Sequence, residues 1–225
     1  MQNIDITQKV EIDNTYRVSR IMADFDVNLS HLENHIQCEV KFPEKWQIGL
    51  ICGGSGTGKT TIANELFGGM TKQHDFTAKS VIDDMPAGAP MNEIEKMFYA
   101  VGLGSVPSWL KPYRVLSNGE KMRCQLAESL LANDFVVFDE YTSVVDRNVA
   151  ITLSTALNKC LKHYPQKQFV AVSCHKDIIE YLQPDWILDT DTMQMSFHVA
   201  HDLKGDLIYL KSGESCGRSL GSIII

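Results

Sequence analysis

Apolar and polar positions alternate along residues 16–22 (Tyr-Arg-Val-Ser-Arg-Ile-Met) and 36–42 (Ile-Gln-Cys-Glu-Val-Lys-Phe), the period of half-buried strands. A turn at Pro43-Glu44-Lys45 separates them from a more continuous apolar strand over 46–52, carrying Ile48, Leu50 and Ile51. The stretch after Lys59 reads as a helix that stops at Gly68-Gly69, residues suited to a left-handed cap. Lys79-Ser-Val-Ile-Asp83 reads as a short strand running into a loop rich in breakers over 84–90. Ile94, Met97, Phe98 and Val101 recur at helical spacing, whereas 102–113, interrupted by glycine and proline, reads as loop.

Residues 118–132 form a further helix, with Met122, Leu126, Ser129 and Leu130 on one face. Phe135-Val-Val-Phe138 is wholly apolar, as a strand buried on both faces of a parallel sheet would be. A helix over 147–163 places Leu153, Ala156, Leu157, Cys160 and Leu161 on one stripe. A buried strand over 169–173, a helix around 177–182 and a strand over 186–188 complete the pattern. The alternation predicts an α/β fold with a mainly parallel central sheet flanked by helices. The early alternating strands predict an antiparallel portion beside it.

Composition narrows the class. A chain of 225 residues with 44% hydrophobic content can bury a core and predicts one large domain, or one domain with a subdomain. It holds no run of about 18 apolar residues to cross a membrane. The N-terminus (Met1-Gln-Asn-Ile-Asp) lacks the basic and apolar regions of a secretory signal. Six scattered cysteines (Cys38, Cys52, Cys124, Cys160, Cys174, Cys216) form no C-x-x-C pair, which argues against zinc and disulfides and for reduced thiols. A net charge of −7 gives no support to broad nucleic-acid binding, although a local basic patch stays open. Together these features predict a soluble, cytoplasmic protein.

Gly53-Gly54-Ser55-Gly56-Thr57-Gly58-Lys59-Thr60, followed by Thr61, lies between the apolar strand and the helix. Glycines at this spacing let the backbone N–H groups curl into a nest for phosphate oxygens. Lys59 would reach the β- and γ-phosphates, and Thr60 would offer its hydroxyl to Mg²⁺ at a helix N-terminus. The pattern points to a nucleoside triphosphate. Asp139 and Glu140 directly follow the apolar strand 135–138. Asp139 would hold the metal, and Glu140 would orient or deprotonate the attacking water. Alone, such a pair reads as an acidic turn; after the glycine-rich loop it reads as chemistry.

Leu116-Ser117-Asn118-Gly119-Glu120 precedes that strand, and by itself reads as a helix N-cap. In this order of motifs it resembles the signature of the ATP-binding cassette (ABC) family, Leu-Ser-Gly-Gly-Gln. Ser143-Val-Val-Asp146 is similar to that family's D-loop, and His175 stands where its switch histidine belongs. The resemblance covers about residues 16–195. It implies a P-loop NTPase of ABC ATPase type, with ATP and Mg²⁺ as ligands, that closes as an ATP-dependent head-to-tail homodimer. Ser117 and Gly119 of one copy would then touch the γ-phosphate held by the other, and Glu140 and His175 would act on the water. Phe25, with Tyr16 second, best matches the aromatic expected to stack on adenine; either is more often a core residue.

Departures from the family pattern shape the reading. Asn118 and Glu120 replace glycine and glutamine, and Tyr141 stands where many transporter subunits have proline. Asp83-Asp84 occupies the place of the family's glutamine loop; Asp83 could serve the metal or merely cap a turn. The short interval between Lys59 and Ser117 implies a reduced helical subdomain, about 86–132, and residues 196–225 read as a short C-terminal extension, loose at its end. Ser80-Val-Ile-Asp-Asp-Met-Pro86, Trp109-Leu-Lys-Pro-Tyr113 and Pro184-Asp-Trp186 resemble a soluble phage- and mobile-element-associated group, some of whose members carry a GNAT acetyltransferase-like domain. The expected function is an ATPase switch acting on an unidentified cytoplasmic protein partner. A transporter's nucleotide-binding subunit and an ATP-binding regulator with little hydrolysis remain as alternatives.

Overall fold

The computed structural model describes residues 2–9, 12–27, 33–201 and 207–211. The chain divides into two compact units, Met1–Lys41 and Phe42–Ile225. In the first, strand β1 (Gln2–Lys9) pairs antiparallel with β2 (Glu33–Val40), from Gln2 opposite Val40 to Lys9 opposite Glu33. Their alternation buries Ile4, Ile36, Cys38 and Val40 on one face.

Between these strands lies α1 (Tyr16–Asp24), where the alternation over 16–22 predicted a strand. Val18, Ile21 and Met22 also satisfy helical spacing, and local polar chemistry decides between the two periods. Thr15 accepts the Val18 N–H as an N-cap, and Arg20 pairs with Asp24 one turn on. Tyr16, Ile21 and Phe25 remain exposed.

The second unit is built on a six-stranded sheet of order β4-β5-β3-β6-β7-β8. Its strands are β3 (Ile48–Cys52), β4 (Phe135–Phe138), β5 (Gln168–Ser173), β6 (Trp186–Asp189), β7 (Gln194–His201) and β8 (Leu207–Lys211). The first four in spatial order run parallel, and β6, β7 and β8 pair antiparallel. Helices α2 (Lys59–Phe67), α3 (Met91–Ala100), α4 (Val106–Trp109), α5 (Asn118–Ala132), α6 (Arg147–Leu161) and α7 (Ile179–Leu182) connect them. The apolar residues expected on α3 and α5 are buried, with Ile94, Met97, Phe98, Leu126 and Leu130 in one core with Leu153, Leu157 and Leu161 of α6.

Two local expectations are corrected. Residues 79–83 do not form a strand: Val81–Asp84 is a 3₁₀ turn, because Asp84 accepts the Thr77 and Ala78 N–H groups and Asp83 accepts the Ser80 hydroxyl. Such side-chain bonds to nearby groups compete with a strand ladder. The loop expected over 102–113 contains α4, anchored by the Trp109 Nε1–H bond to Leu103 O at 2.7 Å.

β4 stands at the end of the sheet rather than inside it. Its outer edge is satisfied by Thr71, whose N–H donates to Val137 O and whose Oγ1 accepts the Val137 N–H. The antiparallel part of this sheet comes from β7 and β8, in the segment read as an extension. The tail expected to be loose, with Cys216, lies outside the described residues.

Candidate active site

Parallel strands carry their C-terminal ends to one edge, so β3, β4, β5 and β6 deliver the loop at Gly53, Asp139-Glu140, His175 and Asp189–Asp191 to the same side of the sheet. Gly56 (φ 79°) and Gly58 (φ 87°) take left-handed turns, and Gly58 forms the N-cap of α2. Lys59 is only 9% exposed; its ammonium donates to Gly53 O at 2.9 Å and Gly54 O at 2.5 Å. Thr57 donates to Gly54 O, and the loop is braced from β6. There, Asp191 accepts the Gly54 N–H at 2.8 Å, and the Thr190 and Thr57 hydroxyls meet at 2.5 Å.

Lys176 joins Asp189 and Asp191, at 2.7 and 2.9 Å. The Gly54 N–H, and then Lys176, hold the Asp191 carboxyl below its ordinary value. Sequence reasoning missed this brace. Its only local signal is a pair of carboxylates closing an apolar strand, as Asp139 closes β4.

Thr60 Oγ1 donates to Asp139 Oδ2 at 2.9 Å, joining the start of α2 to the end of β4. Asp139 Oδ1 accepts the Glu140 N–H at 2.9 Å. A hydroxyl and a carboxylate held together are hard oxygen donors that suit Mg²⁺, which takes few protein ligands and completes its shell with phosphate and water. Among the described residues no group of three or more His, Cys, Asp or Glu side chains forms a metal cage. Asp83 accepts the Ser80 hydroxyl.

Beyond Asp139 the backbone is unusual. Glu140 (φ 52°) and Thr142 (φ 68°) both adopt left-handed conformations, each costing on the order of 1–3 kcal/mol for a side-chain-bearing residue. Tyr141 between them is fully buried, donates its N–H to Val172 O at 2.9 Å and pairs its hydroxyl with Ser154 Oγ at 3.2 Å. A proline here could not make the N–H bond. Glu140 remains exposed. His175 Nδ1 lies 3.2 Å from Thr142 Oγ1, and the His175 backbone N–H donates to Ser173 Oγ. Burial, and then the nearby Arg147 charge, push the His175 pKa below its ordinary value, against an opposing pull from Glu140. Arg147 is paired with Asp177.

Ser117 is the N-cap of α5 in a reciprocal capping box. Its Oγ accepts the Glu120 N–H at 3.3 Å, while its N–H and hydroxyl donate to Glu120 Oε2 at 2.9 and 2.8 Å. Ser108 donates to Glu120 Oε1 at 2.7 Å. The Ser117 N–H first, and then the Ser108 and Ser117 hydroxyls, bring the Glu120 pKa down to about 2. Asn118 opens the helix, exposed. At Gly119 a Cβ would lie 3.2 Å from the Val145 side chain, a tight contact to which Val145 would have to yield. Asp146 caps α6 by accepting the Val149 N–H at 3.0 Å. Ser55 is exposed and Thr61 half-buried. Phe25, at the C-cap of α1 in the first unit, is 71% exposed.

No protein-family model and no curated protein matches the chain. Solved structures do. A bacterial Atm1-family ABC exporter with ATP bound aligns over 70% of this chain at 18% identity and a TM-score of 0.50. The fold is that of an ABC ATPase cassette. This chain covers 33% of that exporter chain. The dimeric structure of MJ0796, a bacterial ABC transporter cassette, aligns over 69% of this chain and 87% of its own, at 14% identity and a TM-score of 0.48. Among the described residues no helix is long and apolar enough to cross a membrane.

Proposed function

We propose that the chain is a soluble, cytoplasmic Mg²⁺-dependent ATPase whose two sites are completed only when two copies close head to tail, and that this closure is a switch for a protein partner. The carrying observation is the 2.9 Å contact of Thr60 with Asp139, which joins the phosphate loop to the strand end bearing Glu140. ATP, bound in the exporter that shares the fold, is assigned to this chain on the strength of its own loop.

On this reading Lys59 exchanges the Gly53 and Gly54 carbonyls for phosphate oxygens, which its buried ammonium meets without losing much hydration. Thr60 and Asp139 would hold Mg²⁺. The ion's contribution is to neutralise the charge on the phosphates as the γ-phosphoryl group departs. Glu140 orients the attacking water and accepts its proton, and His175 meets the γ-phosphate. Ser117 and Gly119, at the exposed start of α5, present a helix N-terminus to the γ-phosphate held by the other copy.

ATP turnover and gel-filtration size, for wild type and Glu140→Gln, test the reading. Wild type should hydrolyse ATP, and the variant should lose about a hundredfold or more in kcat and elute as a dimer only with ATP. Absence of turnover in wild type, together with no ATP-dependent dimer in the variant, would end it. A second reading, an ATP-binding regulator with little hydrolysis, is favoured by the Glu120 carboxylate, which engages the Ser117 hydroxyl within one copy. Glu140-dependent turnover excludes that reading.

A further inference from the structure

We propose that Thr142 is a positioning residue for His175: its buried hydroxyl donates to Nδ1 and fixes the neutral ring as the tautomer that carries its proton on Nε2. The functional consequence rests on His175 meeting the γ-phosphate, as proposed above.

Two buried hydroxyls and the half-buried His175 form a short chain. Ser173 Oγ accepts the His175 backbone N–H at 3.1 Å, Thr142 Oγ1 lies 3.5 Å from Ser173 Oγ, and His175 Nδ1 lies 3.2 Å from Thr142 Oγ1. Thr142 and Ser173 are 0% and 1% exposed, so bulk water does not reach their hydroxyls. A hydroxyl has a single proton to give. If Ser173 donates to Thr142 and Thr142 donates to Nδ1, each proton has an acceptor. In the opposite direction Nδ1–H donates to Thr142 and Thr142 to Ser173, and the Ser173 proton has no acceptor among the described residues. A buried donor without a partner is the costlier arrangement. The first direction therefore prevails.

The ring is suited to the neutral form, because burial and the Arg147 charge both oppose protonation. With Nδ1 accepting, Nε2–H is a donor, the role a phosphate oxygen requires. It is not a base, which leaves Glu140 to take the proton from water. The placement of Thr142 is itself enforced. A β-branched residue seldom holds φ 68° unless its surroundings dictate it. Here the buried Tyr141 and its N–H bond to Val172 O hold the turn.

The test uses full-length protein with ¹⁵N-labelled histidine, its side-chain nitrogen shifts read at about pH 8, above the ordinary imidazole range. The His175→Gln spectrum assigns the resonance. Wild type should show His175 protonated on Nε2. Thr142→Val should shift the ring toward Nδ1–H and lower kcat for ATP by about tenfold, with KM little changed. Thr142→Ser should recover both. A wild-type proton on Nδ1, or an unchanged tautomer in Thr142→Val, overturns the assignment. Should the valine variant not fold, the wild-type tautomer decides alone. If His175→Gln hydrolyses ATP as fast as wild type while the tautomer responds to Thr142, the phosphate-contact reading fails and the positioning assignment stands.

Discussion

Glu120 carries two hydrogen-bonded oxygens on an otherwise exposed turn, and its charge is what those bonds favour. Its folded pKa is about 2, against an ordinary value of 4.5. A carboxyl with a depressed folded pKa stabilises the fold above its unfolded value and loses that contribution as pH falls through the folded one. Replacing it by Gln keeps the shape and removes the charge. Urea unfolding should therefore show wild type more stable than Glu120→Gln at pH 7, with the gap closing between about pH 4.5 and about 2. A gap that ignores pH would mean that shape, not charge, is what the cap uses. At this scale the sequence was informative in an uneven way. Lys59, Thr60, Asp139, Glu140 and Ser117 stood out because their neighbours in the chain define their chemistry. Thr142, Thr190, Asp191 and Lys176 did not, because their partners come from distant strands.

Elements with a strong local signal were legible. α5 was expected over 118–132 and is Asn118–Ala132, because Ser117 and Glu120 start it by a box written within its own first turn. Removing the Ser117 hydroxyl by Ser117→Ala should cost about 1 kcal/mol in urea unfolding, with most of the loss in the cap. A cost near zero would show that Glu120 and the backbone suffice. The segments 16–22 and 79–83 were misread because short stretches of either period look alike. In both, hydrogen bonds of Thr15 or Asp83 and Asp84 to nearby groups outweighed β propensity. Tyr141 is the converse. Sequence marked it only as a departure, whereas its buried ring and its N–H bond to Val172 show what the departure supports.

For the molecule as a whole, the C-terminal strands decide how far the sheet extends. β8 brings Tyr209 onto the sheet, 5% exposed, with its hydroxyl donating to Pro184 O at 2.7 Å. If β7 and β8 belong to the core, Tyr209→Ala should destabilise the second unit by about 3 kcal/mol, seen as one shifted unfolding transition. A detachable extension would leave the main transition where it is. The sequence by itself determined the α/β alternation, the phosphate loop, the acidic strand end and the helix cap, because each depends on residues adjacent in the chain. Tertiary structure alone decided that Thr60 meets Asp139, that Asp191 braces Gly54, that Thr142 faces His175 and that β7 and β8 complete the sheet. Those contacts depend on strand order, and strand order is set by which apolar faces pack together rather than by any local pattern.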